Sequence, residues 1–178
     1  PLVIQGIVLR EHGGAFERVQ VRGQVNLAHE PQVHNIELVP AQARACPEAL
    51  ASIEEADWVL LGPGSWRTSV LPHLLLREQR EALSTTNAKR CVVMNLALDD
   101  KESNGLDASA HLKLLQQYAP NLRLDVVIAD PSNMGVQSEF EDAARELGAK
   151  VLWASVRSTT NPNVHDPLKL ASAYNDMF

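Results

Sequence analysis

The spacing of apolar residues changes near position 40. From Leu2 to Val39 they fall in short β-branched or alternating runs: Val3-Ile4, Ile7-Val8-Leu9, Val19, Val21, Val25 and Ile36-Glu37-Leu38. That is the pattern of strands, and Gly13-Gly14 between two of the runs predicts a hairpin turn. From Pro47 onward the pattern alternates. Ala49, Leu50 and Ile53 repeat at helical spacing over Pro47 to Ala56, and the short run Trp58-Val59-Leu60-Leu61 then reads as a buried strand. Further helices are predicted around Val70 to Ser84, over Ser109 to Tyr118, over Ser138 to Leu147, and after Asp166-Pro167. Between them lie the strand-like runs Cys91-Val92-Val93-Met94, Val126-Val127-Ile128-Ala129 and Val151-Leu152-Trp153. Helix and strand alternating through short connections imply an α/β fold: a Rossmann-like parallel sheet with helices on both faces, preceded by a β-hairpin-like segment. Residues 1–178 read as one α/β unit, β-rich over 1–40 and alternating over 47–178, with no linker or repeat dividing it.

Composition narrows the classes. With 45% hydrophobic and 21% charged residues the chain can bury a core. A formal net charge of -6 and no basic stripe argue against a nucleic-acid partner. No apolar run approaches the roughly 20 residues that span a bilayer, and no leader pattern opens the chain, so an unsecreted, cytosolic protein without a membrane partner is expected. Cys46 and Cys91 lack metal-type spacing and are expected as reduced, packed thiols.

In parallel sheets ligands bind beyond the carboxyl ends of the strands, so the loops that follow strands carry the candidate chemistry. After Leu61 comes Gly62-Pro63-Gly64-Ser65-Trp66-Arg67-Thr68-Ser69. Its glycines permit a sharp turn and a close ligand approach, and backbone amides at a helix start can donate to an anion. Ser65, Thr68 and Ser69 can cap the helix or donate to phosphate oxygens, and Arg67 can add a charged contact. The plain alternative is a tight turn with a helix cap, since the stretch is neither a Walker loop nor a dinucleotide fingerprint. Asn95 ends the next strand and opens a polar loop containing Asp99, Asp100, Glu102, Ser103, Asn104 and Gly105. This loop could hold a hydrated magnesium ion or ribose hydroxyls, or it could be a solvated surface. His111 comes early in the next helix, facing either the site or water. In the last cluster Asp166 and Pro167 explain themselves as helix cap and first helical residue, whereas His165 is open to ligand contact or a structural hydrogen bond. No arrangement of nucleophile, base and orienting group emerges.

These segments together resemble the gluconeogenesis factor family, which is similar to 2-phospho-L-lactate transferase. The carrying residues are Ala56-Asp57 with Leu61-Gly62-Pro63-Gly64-Ser65, Thr68-Ser69, Pro72 and Leu74-Leu75; Asn95-Leu96 with Glu102-Ser103 and Gly105; Ser109 with His111; and His165-Asp166-Pro167 with Lys169-Leu170-Ala171. Four motifs in the family's order cover nearly all of the chain, which matches the family's carboxyl-terminal portion and lacks its glycine-rich amino-terminal loop. It departs from the family at Asp100-Lys101, where Pro-Gly is usual, and at Arg67, His73 and Val164. The resemblance implies a regulatory protein that binds a UDP-sugar, UDP-N-acetylglucosamine or UDP-glucose. It also implies a role in growth on gluconeogenic carbon sources and in cell shape or wall synthesis. The ligand contacts it implies are Gly62, Pro63, Gly64, Ser65, Thr68, Ser69, Asn95, Glu102, Ser103, Gly105, His111 and His165. Two further expectations are a transferase of a phosphate-linked group, with magnesium held by Asp99, Asp100 and Glu102, and a non-enzymatic scaffold. A homo-oligomer is open under each.

Overall fold

The computed structural model describes residues 2–30, 33–96, 107–133 and 135–178. Strand β1 (Val3–His12) turns back through Gly13 and Gly14 into β2 (Ala15–Arg22). Both glycines hold positive φ, 61° and 83°, which a tight two-residue turn between the paired His12 and Ala15 requires. A third antiparallel strand, β3 (Val33–Val39), lies on the other side of β1, giving the order β2-β1-β3. Ile4 and Val8 face inward from β1, and Gly6 between them leaves room for a short helix, α1 (Gln24–Ala28). A Cβ at Gly6 would come within 2.9 Å of Leu27 on that helix and 2.8 Å of the Asn35 carbonyl.

Helix α1 corrects one expectation. Val25 belongs to it rather than to a strand and is 71% exposed. The ladder stops at Gly23, whose φ of 93° turns the chain while its amide donates to the Ile4 carbonyl at 2.8 Å. Leu27 is then the residue that reaches the core.

After α2 (Pro47–Glu55) come four parallel strands, β4 (Trp58–Leu61), β5 (Lys89–Val93), β6 (Val126–Ala129) and β7 (Lys150–Trp153), hydrogen-bonded in their sequence order, so that β4, expected as a buried strand, is an edge strand with Leu60 exposed. The connecting helices are α3 (Pro72–Leu75), α4 (Arg77–Thr85), α5 (Ala108–Tyr118) and α6 (Gln137–Glu146), and α7 (Pro167–Asn175) comes after the last strand. The single helix predicted around Val70 to Ser84 is thus divided. Pro72 opens α3, and an extended backbone at Leu76 separates α3 from α4.

Crossovers of one hand that all step in one direction place their helices on one face of the sheet. Val59, Leu61, Val92, Met94, Val127, Ala129, Val151 and Trp153 accordingly join the larger core, with Leu74, Leu83, Leu112, Leu115 and Phe140 from the connecting helices and Ile4, Val8 and Leu38 from the antiparallel sheet. The alternate positions Trp58, Cys91, Val93, Val126, Ile128 and Leu152 pack against Leu170, Ala173, Tyr174 and Met177 of the last helix and its end. Helices therefore cover both faces, but unequally. Among the described residues no helix is long and apolar enough to cross a membrane. Cys91 is buried, and burial pushes its thiol up to about 12. Cys46 is exposed rather than packed, its Sγ donating to Glu48 Oε2 at 2.8 Å.

Candidate functional site

The loop after β4 is tied down from inside. The Asn95 side chain, just past the end of β5, pairs reciprocally with Gly64: Oδ1 accepts from the Gly64 amide at 2.9 Å and Nδ2 donates to the Gly64 carbonyl at 2.9 Å. Both ends of one peptide-like group match both ends of another, so the carboxyl ends of β4 and β5 are locked together. Ser65 caps the succeeding turn, its Oγ accepting from the Thr68 amide at 3.3 Å. That turn, Trp66–Val70, is π-helical: the Leu71 amide reaches the Trp66 carbonyl at 2.7 Å and the Val70 amide the Ser65 carbonyl at 3.2 Å. π-turns commonly mark functional segments. Here the wide turn buries Trp66, Thr68 and Val70 and leaves Ser69 exposed. The amides of Gly64, Thr68 and Val70 are committed to these bonds and that of Ser69 to the Ser65 carbonyl at 2.8 Å, whereas those of Ser65 and Trp66 donate to none of the described residues.

Two elements support the loop from behind. Gln24 of α1 donates from Nε2 to the Thr68 carbonyl at 3.0 Å. His111 on α5 stacks obliquely on Trp66, with ring centroids 5.2 Å apart, and its Nδ1 lies 2.8 Å from the Asp107 carbonyl. Being 4% exposed, His111 belongs to the wall behind the loop rather than to an open surface.

In front of the loop is an open cleft of about 440 Å³, with Pro63, Gly64, Asn95 and Leu96 on one side and Asn163, Val164 and His165 on the other. Of the residues expected at a site, the fold thus brings Pro63, Gly64, Asn95 and His165 around one space. Ser65 borders it in sequence, and Thr68 and His111 stand behind. Glu102, Ser103 and Gly105, with Asp99 and Asp100, lie outside the described residues. A larger cleft of about 490 Å³ lies at the opposite, amino ends of the strands, where Lys89 and Lys150 alternate with Asp125 and Asp176. It has no glycine loop, and its mixed charges select no ligand sign.

Two charged residues that sequence reasoning missed lie beneath the site. Asp130 directly follows β6 and is 2% exposed. Its Oδ1 accepts from the Ser132 amide at 3.0 Å, from the Ser132 hydroxyl and from Arg157 Nε at 3.1 Å, and its Oδ2 accepts from the Val156 amide at 3.0 Å. Burial alone pushes its carboxyl up, yet the bonds from Ser132, Arg157 and Val156 together hold it below the ordinary carboxylate range. An acid at a strand's carboxyl end is the signal that could have found it. Arg157 has no such signal, since its partners Asp130 and Leu96 are 27 and 61 residues away. His165, bridged to Arg157 across the backbone, has a buried Nε2 with no hydrogen-bond partner. Burial lowers its pKa, and the Arg157 charge acts the same way, against the raising influence of the Met94 carbonyl and Asp130. Among the described residues no three His, Cys, Asp or Glu side chains gather as a metal site.

Comparison with known proteins adds a consistent picture. The model of the family described as 2-phospho-L-lactate transferase CofD matches residues 10–158. Proteins designated gluconeogenesis factors are similar to the chain. That of Mycobacterium tuberculosis is 38% identical over 156 residues, covering 85% of this chain and 45% of the relative. That of Mycobacterium leprae is 38% identical over 157 residues, covering 86% and 44%. That of Thermoanaerobacterium thermosulfurigenes is 31% identical over 191 aligned positions, covering 96% and 58%. The chain therefore spans about half the length of these relatives. A crystal structure of a UPF0052-family protein from Bacillus halodurans superposes with a TM-score of 0.75 at 20% identity, over 99% of this chain and 59% of that one, which shows a shared fold.

Proposed function

The chain belongs to the CofD family, and from that premise we propose that it binds a UDP-sugar, UDP-N-acetylglucosamine or UDP-glucose, as a cytoplasmic regulatory protein. The observation that carries this reading is the loop Gly62 to Ser65. It follows the edge strand β4, is held in shape by Asn95, lines an open cleft at the carboxyl edge of the sheet with Pro63 and Gly64, and leaves the Ser65 and Trp66 amides without a bond to any of the described residues. Amide donors in a glycine loop suit a diphosphate, because they offer several hydrogen bonds without a mobile side chain to order. Asn163 on the facing wall offers a side-chain amide to sugar or base hydroxyls and carbonyls, and His165 lines the same wall with its Nε2 buried.

Asn95 then serves chiefly to hold the loop, since both polar ends of its side chain are engaged with Gly64. The relatives' designation supports a part in the control of gluconeogenic growth, and cell shape is the finer role that the motif resemblance adds. Calorimetric titration of the protein with UDP-N-acetylglucosamine and UDP-glucose should give saturable heat for at least one of them. No heat with either would end this reading.

The family description also supports a second reading, a transferase of a phosphate-linked group. Its metal would fall to Asp99, Asp100 and Glu102. Magnesium-dependent product formation from a nucleotide-activated donor would place it first.

A further inference from the structure

The two walls of the cleft come from distant parts of the chain and meet over one side chain. Asn95 and Leu96 follow β5, while Asn163, Val164 and His165 belong to the segment between β7 and α7. Arg157 lies between them with its side chain 19% exposed. Its Nη2 donates to the Leu96 carbonyl at 2.7 Å and its Nη1 to the Pro162 carbonyl at 2.9 Å, while Nε bonds Asp130 at the end of β6. Its own carbonyl accepts from Lys169 Nζ of α7 at 2.8 Å. One planar guanidinium thus holds three segments at fixed separations, and Asp130, anchored by three other donors, fixes its plane.

A buried ion pair is a poor source of net stability, because desolvating both charges offsets most of their attraction. Its distinctive product is geometry: a rigid fork sets angles and spacings that a flexible ammonium or an apolar side chain of similar volume does not. Each of the three guanidinium nitrogens is already bonded to the protein, so the side chain is employed in holding the walls rather than in meeting a ligand.

We propose that Arg157, oriented by Asp130, is the positioning residue of the nucleotide-sugar cleft, setting the distance between the Asn95–Leu96 wall and the Asn163–His165 wall. This rests on the UDP-sugar reading and deepens it. Affinity then depends on a residue that the ligand does not touch.

The test compares wild type with Arg157→Lys, Arg157→Met and Asp130→Asn by circular dichroism, thermal melting, calorimetric titration with UDP-N-acetylglucosamine and UDP-glucose, and amide NMR. Arg157→Lys keeps the charge but loses the fork. It should fold and melt cooperatively yet bind about tenfold or more weakly, because small displacements of positioned groups are amplified in what they hold. A purely structural role would lower the melting midpoint and leave the affinity of the folded protein unchanged, which would overturn the proposal. Silence of the wild-type protein toward both sugars would count against the function reading alone. The NMR spectra then decide: shifts in Arg157→Lys at Leu96, Asn163, His165 and the Asn95 side-chain amide uphold the positioning role, and shifts confined to residues next to 157 refute it. Should Arg157→Lys fail to fold, Asp130→Asn carries the same comparison, with the same outcomes.

Discussion

Gly64 is held by both its amide and its carbonyl, and its missing side chain faces Ser69. A Cβ there would lie 3.3 Å from Ser69 Cβ and 3.6 Å from its hydroxyl. Gly64→Val adds two further carbons to that contact, displacing the loop, and overpacking of this kind costs about 1–3 kcal/mol. UDP-sugar binding should fall below detection by calorimetry while circular dichroism and a modestly lowered melting midpoint report an intact fold; unchanged affinity would reduce the loop to a turn. His165 offers a different residue-scale test. Its folded pKa lies below the ordinary histidine value of 6.5, so as pH falls the unfolded chain takes up the proton first. Stability is therefore fully present above that value and declines as pH drops toward the folded pKa. Denaturant unfolding of wild type and His165→Gln between about pH 7.5 and about pH 5.5 should show a flatter acid slope in the variant.

At the scale of elements, α7 starts where Asp166 accepts from the Leu168 and Lys169 amides at 3.0 and 3.2 Å, with Pro167 as its first residue. Asp166→Ala should cost about 1 kcal/mol, measurable as a lowered urea midpoint with an unchanged slope. That helix start was legible because an Asp-Pro pair carries its own local physics. So were the four parallel strands, since short runs such as Val126 to Ala129 have few alternatives once helical periods flank them. Three features were not. Val25 is strand-like by type, but Gly23 ends the ladder before it, and that depends on where β1 runs. The π-turn at Trp66–Val70 and the break at Leu76 depend on what the turn must bury, which the spacing of apolar residues does not record.

For the molecule, the alternation of elements was enough to read a parallel sheet, and the rule about strand ends led to the Gly62–Ser65 loop and Asn95. It could not say which helices share a face, because a helix's period does not name its partner. Nor could it find the Asp130–Arg157 clasp, because Arg157 carries no local signal and meets Asp130 only when β6 and the segment after β7 lie side by side. The order of the strands has one more consequence. Each pairs only with its neighbours in sequence, so the sheet can grow by addition from β4 to β7 as the chain emerges from synthesis. The cleft's two walls belong to the first and last of these additions. A molecule halted or frayed before its last segment would keep most of a sheet and possess no cleft, so a ligand that binds there stabilises only the finished product, and occupancy becomes a certificate that folding has run to its end.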